Sequence, residues 1–254
     1  MLIYFTSGTT GEAKMVLHDH SYPLGHIITA SLWQDVTEND LHLTFSDTGW
    51  AKCAWGGKIF GQWIAGACIF VYDIRGGKFG GATELLPLIE KYEVTTFCAP
   101  PTVYRMLILA DLEKFDFRDL RHCCSAGGEP LNPPEVIRVW EDGTGEPIYE
   151  GYGQTETVCC IATFPPCMKH KPGSMGKPAP GWHIELHDDD GNRVGAGGEE
   201  GGRIAVKLDP PAGRALRGVP GQPRGEPGVV PERVLLHRRQ GAYGRGRLLL
   251  VHRT

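Results

Sequence analysis

The chain has 254 residues, with 26 Lys+Arg against 30 Asp+Glu and a formal charge of −4. That length holds one large domain or two small ones, and 41% hydrophobic against 22% charged residues is ordinary for a soluble globular protein. No apolar run reaches membrane-span length, and Met1-Leu2-Ile3-Tyr4-Phe5 lacks the charged region and long apolar stretch of a signal peptide.

The charge is unevenly divided. From Asp209 to Thr254 there are nine Arg, no Lys and three acidic residues, a net +6, which leaves −10 for the first 208 residues. The eight Cys include the adjacent pairs Cys123-Cys124 and Cys159-Cys160 and no C-x-x-C spacing, so neither a zinc site nor a disulfide framework is indicated. Most, such as Cys68 in Ala67-Cys68-Ile69-Phe70, read as small core residues. A reducing intracellular compartment is expected: the cytoplasm, or the mitochondrial matrix in a eukaryote.

In chain order, Tyr4-Phe5-Thr6-Ser7-Gly8-Thr9-Thr10-Gly11-Glu12-Ala13-Lys14 comes first, a hydroxyl- and Gly-rich loop after a short apolar strand. Such a loop can aim backbone N–H groups and hydroxyls at a polyphosphate, with Lys14 adding charge. It does not fit the Walker pattern, and read alone it is equally a flexible turn. His18 and His20 read as polar helix-start residues. Strands follow at 68–72, 94–98, 120–125 and 147–150. They alternate with helices over 82–92, from Val103 to Ala110, and after Asn132 with Pro133 and Pro134 in its first turn. Alternation of this kind predicts a largely parallel sheet with ligands at the carboxyl ends of its strands. The Ala99-Pro100-Pro101-Thr102, Ser125-Ala126-Gly127-Gly128-Glu129-Pro130 and Tyr152-Gly153-Gln154-Thr155-Glu156 segments all fall there. Beyond Pro172, Trp182–His187 and Arg203–Lys207 read as antiparallel strands. Asp188-Asp189-Asp190 is a turn between them that lacks the ligand spacing of a calcium site.

YFTSGTTGEAK resembles the phosphate-binding signature of the AMP-forming adenylate enzymes, the superfamily of acyl-CoA synthetases, luciferases and peptide-synthetase adenylation domains. SAGGEPLNP and YEGYGQTE resemble its next two nucleotide motifs, in order. SDTGWAK, GQWIAGA, FCAPPTVYRML and GSMGKPAPGWHIELHDDDGN resemble the acetyl/medium-chain acyl-CoA synthetase branch. The resemblance covers residues 1 to about 208. It implies an α/β fold, part of the large N-terminal domain of an adenylate-forming enzyme, with a mostly parallel sheet, flanking helices and a small antiparallel β part. The expected divisions are 1–170 (nucleotide- and acyl-binding), 171–208 (antiparallel β) and 209–254 (Arg-rich, out-of-frame and disordered tail).

By matching position, the resemblance implies that Thr6, Ser7, Gly8, Thr9, Thr10, Gly11 and Lys14 hold the β- and γ-phosphates of ATP. Gly128, Glu129 and Pro130 would flank the adenine, with Tyr152 on its other face beside Gly153 and Gln154. Thr155 would contact the α-phosphate and Glu156 would hold Mg²⁺, making Thr155, Glu156 and Lys14 the catalytic set. Trp50 and Thr102 would line the acyl pocket, although alone Trp50 reads as core and Thr102 as a helix N-cap. The implied reaction joins a short- to medium-chain carboxylate, ATP and CoA into acyl-CoA, AMP and pyrophosphate. The alternatives are another adenylate-forming module or a non-catalytic nucleotide-binding pseudoenzyme. A basic-tailed nucleic-acid binder is disfavoured, because the tail lacks aromatic interleaving and any groove-reading motif.

Three departures from the family pattern shape further expectations. The chain begins at the phosphate loop, which is expected of a truncated fragment lacking full activity. Gly56-Gly57, Gly127-Gly128 and Pro133-Pro134 look like single-residue insertions, and the second would shift the adenine loop by up to about 3.5 Å. The family's ribose-binding Tyr-Thr-Gly-Asp motif is absent after Lys207. Yet Glu232–Gly241 (ERVLLHRRQG) can be encoded by GAA CGG GTT CTA CTT CAC CGG CGA CAA GGC, which one base later reads NGFYFTGDK. A frameshift near 208–214 is therefore expected to have produced the tail.

Overall fold

Apolar strand segments separated by amphipathic helices build a seven-stranded sheet in the computed structural model. The structure describes residues 2–6, 14–46, 59–74, 79–126, 134–155, 157–165, 167–188, 190–194, 202–207, 240–244 and 248–252. The chain opens with a hairpin of β1 (Leu2–Thr6) and β2 (Lys14–His18). Helix α1 (Tyr22–Ile28) runs into a π-helical turn, Thr29–Trp33, in which the Gln34 N–H donates to Thr29 O at 3.0 Å. Then come β3 (Leu41–Thr44), α2 (Phe60–Ala65), β4 (Cys68–Ile69), α3 (Ala82–Lys91), β5 (Thr96–Ala99), α4 (Pro101–Leu107), β6 (His122–Ser125), α5 (Pro134–Thr144) and β7 (Ile148–Tyr152).

The sheet order is β4-β3-β5-β6-β7, all parallel, continued antiparallel by β8 (Ile161–Ala162) and β9 (Lys177–Pro178). A smaller antiparallel sheet joins β10 (His183–His187), β11 (Gly202–Lys207), β12 (Gln240–Gly244) and β13 (Leu248–His252). This is the mostly parallel α/β architecture with a small antiparallel part that the sequence implies.

The sheet is buried on both faces, as parallel sheets are. Leu85, Leu86 and Ile89 of α3, Val103, Tyr104 and Leu107 of α4, and Val136, Ile137 and Trp140 of α5 pack on one face against Leu43, Phe97 and Ile148. The other core gathers Tyr4, Val16, Tyr22, Trp33, Tyr152, Trp182, Leu186 and Ile204, so the hairpin and the small sheet share it. Successive strand residues point to opposite faces. Adjacent cysteines on β6 are split accordingly, with Cys123 in the first core and Cys124 in the second.

Two polar devices fix the frame. At the amino ends of the strands, the buried Asp40 carboxylate accepts from Thr37 N–H (2.7 Å), Thr95 Oγ1 (2.7 Å) and Arg121 Nε (2.8 Å), and Arg121 also pairs with Asp35. Burial opposes ionisation of Asp40, but the Arg121, Thr95 and Thr37 hydrogen bonds outweigh it and hold the carboxyl at about 2. In the middle of the sheet, fully buried Trp33 donates Nε1–H to Tyr149 O (3.1 Å) and its carbonyl accepts from His122 Nε2 (2.8 Å), tying the π-helical turn to β6 and β7.

Several expectations are corrected. The strand over 68–72 shrinks to Cys68–Ile69, because β4 is an edge strand paired only through Leu41 and His42 among the described residues. Cys68 is accordingly exposed and Val71 is 73% exposed, so neither is core. His18 is no helix-start residue: it ends β2, buried to 2% exposure, while His20 lies in the turn before α1. Thr102 is not an N-cap, since Pro100 takes that place and Thr102 is the exposed second residue of α4. Within 209–254 the described residues are those of β12 and β13, where Leu248-Leu249-Leu250-Val251 is a β-prone apolar run.

Candidate nucleotide site at the carboxyl edge of the sheet

Parallel register places the carboxyl ends of β3, β5, β6 and β7 side by side: Thr44 opposite Cys98, Ala99 opposite Ser125, and Ser125 opposite Glu150. Three loops singled out from the sequence leave this one edge. Ala99 leads through Pro100-Pro101 into α4 with Thr102, Ser125 leads into the Gly127–Pro130 segment, and Tyr152 leads into Gly153-Gln154-Thr155. Ser125 and Ala126 are buried, and Ser125 Oγ has no hydrogen-bond partner among the described residues. It is a polar atom left over at the base of the segment expected to meet adenine.

The hairpin makes Thr6 and Lys14 cross-strand partners, so two of the expected phosphate ligands lie side by side at the ends of β1 and β2. Ser7, Gly8, Thr9, Thr10 and Gly11 lie outside the described residues, as do Trp50, Gly128, Glu129, Pro130 and Glu156.

The loop after β7 is held by bonds of its own. Gln154 N–H donates to Thr157 Oγ1 (3.0 Å) and Thr157 N–H returns to Gln154 O (3.0 Å), a reciprocal clasp around Thr155 and Glu156. Cys160 N–H donates to Tyr152 O at 2.9 Å, fixing the loop's first residue. Tyr152 itself is 6% exposed and belongs to the core, so only a small part of it is open to a ligand. Gly153, Gln154 and Thr155 are partly exposed. From the other side, His18 Nε2 lies 2.7 Å from Thr155 O. A carbonyl only accepts, so that nitrogen carries the proton. This bond joins the end of the hairpin to the loop after β7 across 137 residues of sequence.

Beside this edge, a cavity of about 430 Å³ opens between the ends of β3 and β4 and helix α3, walled mainly by Leu43, Phe45, Phe70, Phe79, Leu85 and Leu88. Thr102 is not among its walls.

The buried thiols offer no nucleophile. Burial raises the pKa of Cys123, Cys124 and Cys159, and pushes that of Cys160 up to about 12. None of the seven described cysteines is in a disulfide. Among the described residues no group of three or more His, Cys, Asp and Glu comes together to hold a metal ion. No helix among them is long and apolar enough to cross a membrane.

Sequence reading missed His18 and Thr157 as loop-holding residues. His18 had no local signal, since the burial of Val16 and His18 with Leu17 half-buried between them emerges only from the folded strand. Thr157 had none beyond its place three residues after Gln154.

A mostly parallel sheet with three polar, Gly- or Pro-rich segments leaving its carboxyl edge is the architecture of an α/β enzyme with a ligand site at that edge. The chain belongs to the AMP-binding enzyme family, whose model matches residues 1–209. Among curated proteins it is 47% identical over 211 residues to the mitochondrial acyl-coenzyme A synthetase ACSM3 of Rattus norvegicus and 46% identical to that of Homo sapiens. These alignments cover 83% of this chain but 35% and 34% of the relatives, so the chain spans about a third of their length. Among solved structures, the acyl-CoA synthetase of Brucella canis matches with a TM-score of 0.83 at 25% identity, over 98% of this chain and 44% of that one. The anthranilate CoA ligase AuaEII in complex with anthranoyl-AMP gives 0.81 at 25% identity, over 98% and 46%.

Proposed function

We propose that this chain carries the nucleotide- and acyl-binding part of an AMP-forming acyl-CoA synthetase. The carboxylate oxygen of the acid attacks the α-phosphorus of ATP, a P–O bond forms and pyrophosphate leaves; the thiol of CoA then attacks the acyl carbon and releases AMP. The observation that carries this reading is the alignment of the carboxyl ends of β5, β6 and β7, from which three of the matched motifs leave, with the hairpin residue His18 bonded to Thr155 O beside them. The 44–47% identity to curated acyl-coenzyme A synthetases supports it.

In this reading the 7–13 loop and Lys14 cradle the β- and γ-phosphates, with backbone donors and one cation opposing the charge that builds on pyrophosphate. Gly128, Glu129 and Pro130 flank the adenine with Tyr152, Gly153 and Gln154, and Thr155 faces the α-phosphate. Trp50 and Thr102 border the acyl group. Mg²⁺ arrives on ATP, where it neutralises phosphate charge, and Glu156 is the residue proposed to hold it. No protein nucleophile is required, which agrees with thiols buried in their protonated form. Positioning therefore does most of the catalysis. The mitochondrial names of the relatives support the matrix as the compartment.

Lys14→Met tests the reading. Equilibrium dialysis is expected to show saturable MgATP binding by the wild-type chain and roughly tenfold weaker binding by the variant, the loss of one charge-assisted contact. Equal affinity in both would remove Lys14 from the site.

A further inference from the structure

The hydrogen bond between His18 and Thr155 carries more than packing. A two-stranded hairpin is marginally stable by itself, so the direction in which it holds its loop must be set from outside. Tyr4 and Val16 anchor this hairpin through apolar contacts, which are non-directional. His18 adds a directional one. Its ring is held by Tyr22 at 4.1 Å and Tyr4 at 5.9 Å between centroids, and its Nε2–H meets Thr155 O at 2.7 Å. Thr155 is clasped on its other side by the Gln154–Thr157 pair. A chain of fixed contacts thus runs from Thr157 through the 154–155 backbone to β2, whose opposite end is Lys14 at the base of the phosphate loop.

We propose that His18 is a positioning residue that sets the register between the phosphate hairpin and the loop after β7, and with it the alignment of the α-phosphate against the β- and γ-phosphates. The proposal rests on the nucleotide reading above. It makes no use of His18 as an acid or base: the side chain acts through the Thr155 backbone and touches no reacting atom.

The experiment compares wild type, H18L and H18Q in the full 254-residue chain. A Gln places an amide N–H at nearly the reach of Nε2, whereas Leu fills space without a donor. MgATP affinity, thermal midpoint and amide hydrogen exchange of the 153–157 segment are read for each. H18L is expected to bind MgATP about tenfold more weakly and to exchange faster at 153–157. H18Q is expected to restore both to within about twofold of wild type. If H18L does not fold, H18N replaces it, with its amide one methylene short of the carbonyl. Equal weakening by H18L and H18Q would reduce His18 to a core residue and overturn the proposal, as would wild-type affinity in both. A wild-type chain that binds no MgATP would instead overturn the nucleotide reading, and the proposal with it. The two failures are therefore told apart by the wild-type titration.

Discussion

Gly151→Ala is the sharpest probe of how the core positions the site. Gly151 lies in β7, one residue before Tyr152 and the loop that follows. A Cβ there would meet Cε2 and Cζ2 of Trp33 at 2.6 Å, where ordinary contact begins at 3.4 Å. The indole has no room to retreat: it is fully buried, and its Nε1–H is committed to Tyr149 O at 3.1 Å. Overpacking of this kind costs about 1–3 kcal/mol, with about 1 kcal/mol more if the indole hydrogen bond breaks. At roughly 2–4 °C per kcal/mol for a domain of this size, the melting midpoint should fall by about 2–16 °C. Strain relieved by displacing β7 also moves Gly153–Thr155, so MgATP affinity should drop several-fold. Circular-dichroism melts paired with nucleotide titrations read both effects. Trp33→Phe removes the clashing atoms, so adding Gly151→Ala to that background should cost less than adding it to wild type. A Gly151→Ala chain melting within a degree of wild type, or additive costs in the double variant, would refute the packing argument.

Other consequences follow from the same structure. The folded-state pKa of Asp40, about 2 against an ordinary 3.8, means its ionised form contributes roughly 2 kcal/mol above pH 4 that is lost as the pH falls towards 2. Asp40→Asn should therefore be less stable in urea at pH 7, and the gap to wild type should close by pH 2; a gap constant with pH would contradict this. Thr157→Val removes the Oγ1 that accepts from Gln154 N–H. It should weaken MgATP binding about three- to tenfold while shifting the melt little, since the loop lies at the sheet's edge; unchanged affinity would free the clasp of any role. The coding DNA across residues 208–254 should, read one base later, encode NGFYFTGDK opposite Glu232–Gly241; a shifted frame without this motif would end the frameshift explanation.

The central α/β frame was legible because each crossover helix carries its apolar residues at helical spacing and each strand ends in a polar, Gly- or Pro-rich segment. Leu85 and Ile89, Val103 and Leu107, and Val136 and Trp140 all face the core as that spacing predicts. Edges were less legible. The Cys68–Tyr72 run has strand composition throughout, but with one neighbour among the described residues it pairs over two residues only. Charge counting over the last 46 residues likewise passed over the apolar run at 248–251, where the structure describes a strand. Motif matching gathered the site's loops, and register then placed the carboxyl ends of β5, β6 and β7 together. What held them was invisible. The His18–Thr155 bond spans 137 residues and Trp33 meets Gly151 across the fold, and no local pattern encodes either contact. His18 stood in the sequence as an unremarkable polar residue until β2 turned it inward.

The most direct test is titration of the purified chain with a non-hydrolysable acyl-adenylate analogue, an acyl group joined through a sulfamate to adenosine. A nucleotide and acyl site at the carboxyl edge predicts saturable one-to-one binding, displaced competitively by ATP and weakened by Lys14→Met. A cooperatively folded chain that binds neither the analogue nor ATP would contradict it.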